Sequence, residues 1–188
     1  RLEEWGVGCS RGEGDDDLLL LLLLVVVVCS GVGGFGGGAG GFGGARALPG
    51  EVLTLLPDRA PDLIMTLPTS VTQAAIYRLS GDRNPLHIDA DTANRAGFSR
   101  PILHGLSTLG VAARAIIHAL CNGNSARLTE LSARFTAPLY PGAVLKTEIW
   151  DNGGGNIAFR CRSVETNDIV VDSGHATLDA FAAPGATA

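Results

Sequence analysis

The chain has 188 residues, a length that suits one domain with an extension. Its formal net charge of −5 argues against an extended nucleic-acid interface, because such a surface needs clustered lysine and arginine. A local basic patch for a phosphorylated ligand is still compatible with this charge.

The cysteines have neither CxxC spacing nor a histidine pair at metal-ligand spacing, so we predict no metal site. Cys161 occupies an apolar position of a predicted strand. This favours a buried free thiol in a reducing compartment over a disulfide framework. The four cysteines are Cys9, Cys29, Cys121 and Cys161.

The first 50 residues are low in complexity. Three aspartates precede a block of leucines and a block of valines. The apolar run Leu18–Cys29 is shorter than the roughly 18 to 20 residues that span a bilayer. Its preceding flank is acidic, whereas a signal peptide has a basic one. We therefore expect no membrane anchor.

A glycine-rich stretch follows the valines. Residues 31–36 fit the G-x-G-x-x-G spacing of a dinucleotide-binding loop, but more glycine and Pro49 follow where that loop requires a helix. Residues 31–37 are also repeated in similar form by residues 38–44, which is typical of a linker. We predict an extension and linker over residues 1–50 and one folded domain over residues 51–188.

The folded domain is predicted to begin with a strand and a short helix. The strand covers residues 62–68, where a proline ends the apolar run. The helix covers residues 70–79, with Thr69 or Ser70 as its N-cap and Gly81 after its end.

A long central helix is predicted from Gly105 to near Asn122, because apolar residues recur there with the spacing of one buried helical face. Four strands are predicted after it, separated by turn-forming residues. In the third, apolar and polar residues alternate, as in a sheet with one face on the helix and the other toward water or a partner. These strands cover residues 128–139, 143–150, 156–165 and 169–178.

The candidate site lies between the two predicted helices. His87 follows Asp82 by five positions, with Asn84 and Pro85 between them. Unperturbed pKa values of about 3.9 for Asp and about 6.5 for His allow acid–base work near neutral pH after modest burial. Asn84 adds a neutral hydrogen-bonding group. Pro85 disfavours the helical conformation of the Asn84 backbone. These residues are also good turn formers, so this segment alone leaves a purely structural turn open.

A second segment favours catalysis. Pro-Ile-Leu-His-Gly-Leu at 101–106 follows the Tyr-x-x-Ser-Gly-Asp-x-Asn-Pro-Leu-His signature at 77–87, and Gly-Gly-Phe-Gly-Gly at 40–44 precedes both. Ala-Arg-Phe at 133–135 and Tyr-Pro-Gly at 140–142 complete the pattern. Together these segments resemble the R-specific enoyl-CoA hydratase 2 family, the MaoC-like branch of the hot-dog fold.

The resemblance implies an α+β hot-dog fold, in which an antiparallel sheet wraps around one long central helix. It is strongest to the C-terminal catalytic unit of the two-unit hydratases found in peroxisomal multifunctional enzymes and bacterial relatives. In those proteins a strand that closes the N-terminal unit runs into a similar glycine linker. Residues 1–50 are therefore interpreted as a low-complexity extension and linker that resembles the end of such an N-terminal unit.

The implied activity is that of a lyase which interconverts trans-2-enoyl-CoA and (3R)-3-hydroxyacyl-CoA in fatty-acid β-oxidation. By resemblance Asp82 and His87 hold the catalytic water, with the help of Asn84. Which of the pair protonates the α-carbon is left open. The backbone N–H of Gly105, at the start of the central helix, is the candidate for binding the thioester oxyanion.

The acyl-CoA thioester is the expected ligand, with no metal and no redox cofactor. Its phosphates call for basic residues at the entrance, and the candidates are Arg46, Arg134 and Arg100. His104 is interpreted as a structural or pocket-wall residue. His118 and His175 are interpreted as ordinary histidines.

Two alternatives remain open at this point: a hot-dog acyl-CoA thioesterase, and a non-catalytic partner subunit. Hot-dog units expose a sheet edge and an apolar face, so a homodimer or pairing with a second unit is expected. The expected location is the peroxisome in a eukaryote and the cytoplasm in a bacterium. The last residues do not form a Ser-Lys-Leu type signal.

Overall fold

The computed structural model describes residues 55–179. The glycine-rich linker, the preceding leucine and valine blocks and Arg46 lie outside this range. The described part contains three α-helices and five strands. In chain order these are β1 (Leu63–Pro68), α1 (Gln73–Tyr77), α2 (Ala90–Arg95), α3 (Gly105–Leu120), β2 (Leu128–Phe135), β3 (Val144–Asp151), β4 (Asn156–Ser163) and β5 (Ile169–Leu178).

The five strands form one antiparallel sheet in the order β1-β3-β4-β5-β2. The long helix α3 is the central helix that the apolar spacing predicts, and the predicted α+β class is confirmed. Strands β1 and β2 are the two edges of the sheet. Among residues 55–179, no helix has the length and apolar character needed to cross a membrane.

Three differences between the predicted and the observed elements exceed two residues. Strand β2 ends at Phe135 rather than at residue 139. Pro138, three residues later, has no N–H to donate to a neighbouring strand, so the regular ladder does not continue through it. The first helix is only Gln73–Tyr77 and continues as a 3₁₀ turn over Arg78–Ser80. Helix α2 was not predicted; its N-cap is Asp89, whose side chain accepts a hydrogen bond from Thr92 N.

Helix α3 lies against the inner face of the sheet. Its alanines Ala112, Ala113 and Ala115 have no exposed surface, and such small side chains let the helix approach the strands closely. From β4, Ile157, Phe159 and Cys161 face this core, as the alternation in the sequence predicts. Burial of each large apolar side chain here stabilises the fold by about 1.5–3 kcal/mol relative to exposure.

The two cysteines within the described range, Cys121 and Cys161, are free and buried, which confirms the prediction for Cys161. Burial raises the pKa of Cys161 to about 12, only partly offset by a hydrogen bond to Thr147. Its thiol is therefore protonated at neutral pH and acts as a small apolar side chain.

The outer face of the sheet carries a charged cluster around Glu148. Its carboxylate lies 2.7 Å from Arg160 Nη2, 3.0 Å from Lys146 Nζ and 3.5 Å from Arg162 Nε. The pairing of β3 with β4 sets Glu148 opposite Arg160 and Lys146 opposite Arg162. Burial raises the pKa of Glu148, but the hydrogen bonds from Arg160 and Lys146 outweigh it, so the net pKa is lowered.

Replacement of Glu148 by Gln should destabilise the fold by about 2 kcal/mol at pH 7, since it leaves three partly exposed cations without their shared carboxylate. Because the folded-state pKa lies below the ordinary value of 4.5, the stabilisation is complete above that pH and is lost as pH falls through the folded-state value. Urea unfolding at pH 7 and at acidic pH measures both effects.

The control is Glu130→Gln, at an exposed position of β2. Equal unfolding midpoints for the wild type and Glu148→Gln at pH 7 would contradict the stabilising role of Glu148.

Candidate active site

The loop between α1 and α2 is shaped by its own side chains. Gly81 ends the 3₁₀ turn with φ of 118°, a left-handed conformation that favours glycine. Asn84 N donates to Asp82 Oδ1 at 3.2 Å, and Asn84 Oδ1 accepts from Leu86 N at 3.0 Å. The bond to Leu86 N caps a second 3₁₀ turn, which covers Pro85–His87. The side-chain carbonyl of Asn84 is thus used by the chain itself, which leaves its amide Nδ2 to contact a ligand.

This loop brings Asp82 and His87 together. One ligand atom from each of Asp82, His87 and His104 lies within 4.8 Å of the others. Asp82 is exposed, whereas His87 is only 9% exposed. The carboxylate therefore faces the solvent side of the cluster, and the imidazole forms its inner wall.

The protonation of the His87 ring follows from its hydrogen bond. His87 Nδ1 lies 2.8 Å from the backbone carbonyl of Ile102. Because a carbonyl oxygen can only accept, Nδ1 carries the hydrogen of the neutral ring and Nε2 carries the lone pair. His87 can therefore take a proton at Nε2 without losing its backbone bond.

His104 belongs to the same cluster, although sequence reasoning treated it as a structural or pocket-wall residue. Its ring stacks on His87 with centroids 3.6 Å apart and planes 26° apart, and it lies 4.6 Å from the ring of Tyr77. Burial and the adjacent His87 lower the pKa of His104. One feature of the sequence could have identified His104 as a site residue. It lies directly before the predicted start of the central helix, at the same end of that helix as Gly105.

The cluster is a poor match for a metal centre. The backbone carbonyls of Asp82 and Ile102 each bind one nitrogen of a ring, which leaves the other nitrogen of each ring with a lone pair. The two rings are stacked with their planes 26° apart, so these lone pairs lie in nearly parallel planes rather than converging on one point. The arrangement suits proton transfer better than chelation.

Gly105 is the first residue of α3, so its N–H has no acceptor within the helix and lies at the positive end of the helix dipole. An added Cβ at this position would lie 3.2 Å from the ring of Phe135. Glycine therefore lets Phe135 pack directly over the helix start.

Of the predicted CoA-binding arginines, Arg134 and Arg100 lie within the described residues, and neither forms a hydrogen bond or ion pair with the cluster. Arg134 is exposed on β2 and pairs in register with Asp172. Arg100 is exposed, and its guanidinium lies 4.6 Å from the centre of the Tyr140 ring. Within residues 55–179, no hydrogen bond or ion pair joins either arginine to Asp82, so both stay predictions for a more distant part of the ligand.

Comparison with known proteins identifies the domain. The model of the MaoC-like domain family matches residues 53–173. The chain is 44% identical over 138 residues to mouse peroxisomal multifunctional enzyme type 2, covering 73% of this chain and 19% of that protein. It is 50% identical over 131 residues to 3-hydroxyacyl-thioester dehydratase Y of Mycobacterium tuberculosis, covering 69% of this chain and 42% of that protein. The chain thus spans less than half of the length of these relatives.

Solved structures agree with this match. A MaoC-like dehydratase from Phytophthora capsici superposes with a TM-score of 0.69 at 40% identity, covering 74% of this chain and 48% of that one. Full-length peroxisomal multifunctional enzyme type 2 from Drosophila melanogaster gives a TM-score of 0.67 at 42% identity, covering 71% of this chain and 25% of that one. The predicted hot-dog fold is confirmed, and the chain belongs to the MaoC-like domain family.

Proposed function

We propose that the chain is a lyase of fatty-acid β-oxidation that interconverts trans-2-enoyl-CoA and (3R)-3-hydroxyacyl-CoA. The observation that carries this proposal is the convergence of Asp82 and His87, with Nδ1 of His87 held by the Ile102 carbonyl so that Nε2 carries the lone pair of the neutral ring. Relatives named enoyl-CoA hydratase 2 and 3-hydroxyacyl-thioester dehydratase support the same reaction class.

In the hydration direction, the water is held between the Asp82 carboxylate and His87 Nε2. His87 accepts a proton from the water while the water oxygen forms a bond to the β-carbon of the enoyl group. The α-carbon receives a proton that passes through the Asp82–His87 pair, so the sum of the steps is the addition of one water. This exchange of protons involves no transfer of electrons, and coenzyme A is part of the substrate.

The thioester oxygen gains negative charge as water adds, and the Gly105 N–H is the proposed donor to it. The amide lies at the start of α3, where the helix dipole adds positive potential. Arg134, Arg100 and Arg46 are proposed to contact the phosphates of coenzyme A, which lie far along the ligand from the reacting carbons.

The proposed partner is a second hot-dog unit, either in a homodimer or from a longer chain. Four large apolar side chains between residues 71 and 88 are exposed, by 78%, 59%, 83% and 43%. Such a concentration within one short segment is unusual for a surface that faces only water. The four residues are Val71, Ile76, Leu79 and Ile88.

The proposed location in a eukaryotic cell is the peroxisome. The relatives from mouse and Drosophila that match this chain are both named peroxisomal multifunctional enzyme type 2. In a bacterium the same reaction would take place in the cytoplasm.

The catalytic pair is tested by Asp82→Asn and His87→Gln. Each should lower the kcat of crotonyl-CoA hydration by about 10² to 10⁴, the usual contribution of a general acid or base. Loss of the enoyl absorbance measures hydration, and a thiol-reactive dye detects any free coenzyme A that a thioesterase would release. Asp91→Asn and His118→Gln change exposed residues of the same types and should keep wild-type rates. Wild-type rates in either folded test variant would reject the assignment.

The oxyanion site is tested by Gly105→Ala. The new methyl group must displace Phe135 or the helix start by a few tenths of an ångström, so kcat should fall about tenfold or more as the amide leaves its position. Gly110→Ala is the matched control in the same helix, because an added Cβ there meets nothing within 4 Å. Equal hydration rates for the two variants would contradict the role of Gly105.

Pairing with a second unit is tested by light scattering coupled to size exclusion. The wild type should elute as a dimer, and Leu79→Asp should shift it toward monomer by placing a charge in the apolar contact. Val164→Asp provides the control, since Val164 is also exposed but lies in the turn between β4 and β5. A monomeric wild type at micromolar concentration would argue against a homodimer.

A further inference from the structure

His104 is held in one tautomer by the main chain. Its Nε2 lies 3.3 Å from the carbonyl oxygen of Asp82. A carbonyl oxygen only accepts, so Nε2 carries the hydrogen and Nδ1 carries the lone pair. The ring is 2% exposed, and within the described residues its Nδ1 has no hydrogen-bond partner.

The surroundings of His104 oppose a second proton. A proton on Nδ1 would create a buried N–H donor without an acceptor. Burial, the adjacent His87 and the positive charge of Arg78 lower the pKa of His104 and outweigh Asp82, which acts in the opposite direction. The ring of Tyr77 lies 4.6 Å from the His104 ring. His104 is therefore neutral near neutral pH.

The neutral ring supports its neighbour. Its centroid lies 3.6 Å from that of His87. A cation placed over an aromatic face is attracted to it, whereas two charged rings at this separation repel each other. The stack therefore favours the imidazolium that forms when His87 accepts a proton from water, provided that His104 stays uncharged.

We propose that His104 is a positioning residue for the hydration reaction. Its Nε2–H holds the backbone of Asp82, and its neutral face supports His87 in both protonation states of that ring. This inference rests on the proposed hydratase function. His104 acts through Asp82 and His87 and contacts no reacting atom in this account, so its loss should affect turnover more than binding.

Two substitutions separate the two contacts. His104→Gln keeps an N–H donor for the Asp82 carbonyl but removes the ring, whereas His104→Phe keeps a ring but removes the donor. Each should lower kcat for crotonyl-CoA by about tenfold or more with KM within about twofold, since small misplacements of catalytic groups are costly. His118→Gln, at an exposed position of the same helix, should leave both constants unchanged.

The tautomer is tested in the wild-type chain by long-range ¹H–¹⁵N NMR of labelled histidine. The chain has four histidines, so single variants assign every signal. We expect His104 to keep a bare Nδ1 and a protonated Nε2 from about pH 7 to about pH 8, the upper part of the range in which unperturbed histidines change charge, since its pKa is lowered. Circular dichroism of both variants reports the folded fraction, against which kcat is corrected.

Three results would overturn the inference. They are protonation of His104 Nδ1 within that pH range, wild-type kcat in both folded variants, and a loss of rate fully explained by a smaller folded fraction. Failure of the wild-type chain to hydrate enoyl-CoA would instead overturn the proposed function and, with it, the catalytic part of this inference. The two failures are distinguishable because the NMR measurement requires no turnover.

Discussion

The hydrogen bond from His87 to the carbonyl of Ile102 is the contact on which the site depends. It joins two segments fifteen positions apart in the chain, the loop after α1 and the segment 101–104 directly before α3. Segment 101–104 is also bonded to the segment after β2, because Leu103 N donates to Leu139 O at 2.7 Å. Both the imidazole and the first turn of α3 are thereby held against the rigid part of the domain.

The rigid part is a sheet whose two faces have different chemistry. The inner face packs on α3, and its small buried alanines set how near the helix comes. The outer face is stabilised by charge around Glu148, whose carboxylate is shared by three cations. Because α3 packs on the inner face, and Leu103 N is bonded to Leu139 O just before the helix, the helix start that carries His104 and Gly105 is held against the sheet.

Much of this arrangement could be predicted from the sequence. Alternation in β4 and the apolar spacing of α3 report burial directly, since each residue faces the core or solvent according to the period of its element. The loop carrying Asp82 and His87 was also recognisable, because glycine, proline and asparagine there each have a local conformational reason. These are properties of neighbours in the chain, which a sequence displays.

Other features depend on contacts between distant segments. The stack of His104 on His87, the packing of Phe135 over Gly105 and the sharing of Glu148 by three cations all require the register of the folded chain. Helix α2 was missed because six residues leave too short a pattern, and its cap at Asp89 comes only two residues after the end of the signature. The roles of the arginines are still undecided by sequence, since an exposed arginine has the same appearance whether or not a phosphate binds to it.

Both imidazoles of the site are oriented by main-chain oxygens rather than by side chains. The amino acid at position 102 can therefore drift among apolar residues without altering the tautomer of His87, provided that the backbone keeps its path. Likewise, the anchor for His104 is the peptide carbonyl of residue 82 and is independent of the carboxylate there. The geometry is thus robust to mutation at its anchoring positions, and evolution can vary the pocket wall while the proton-transfer machinery stays in place.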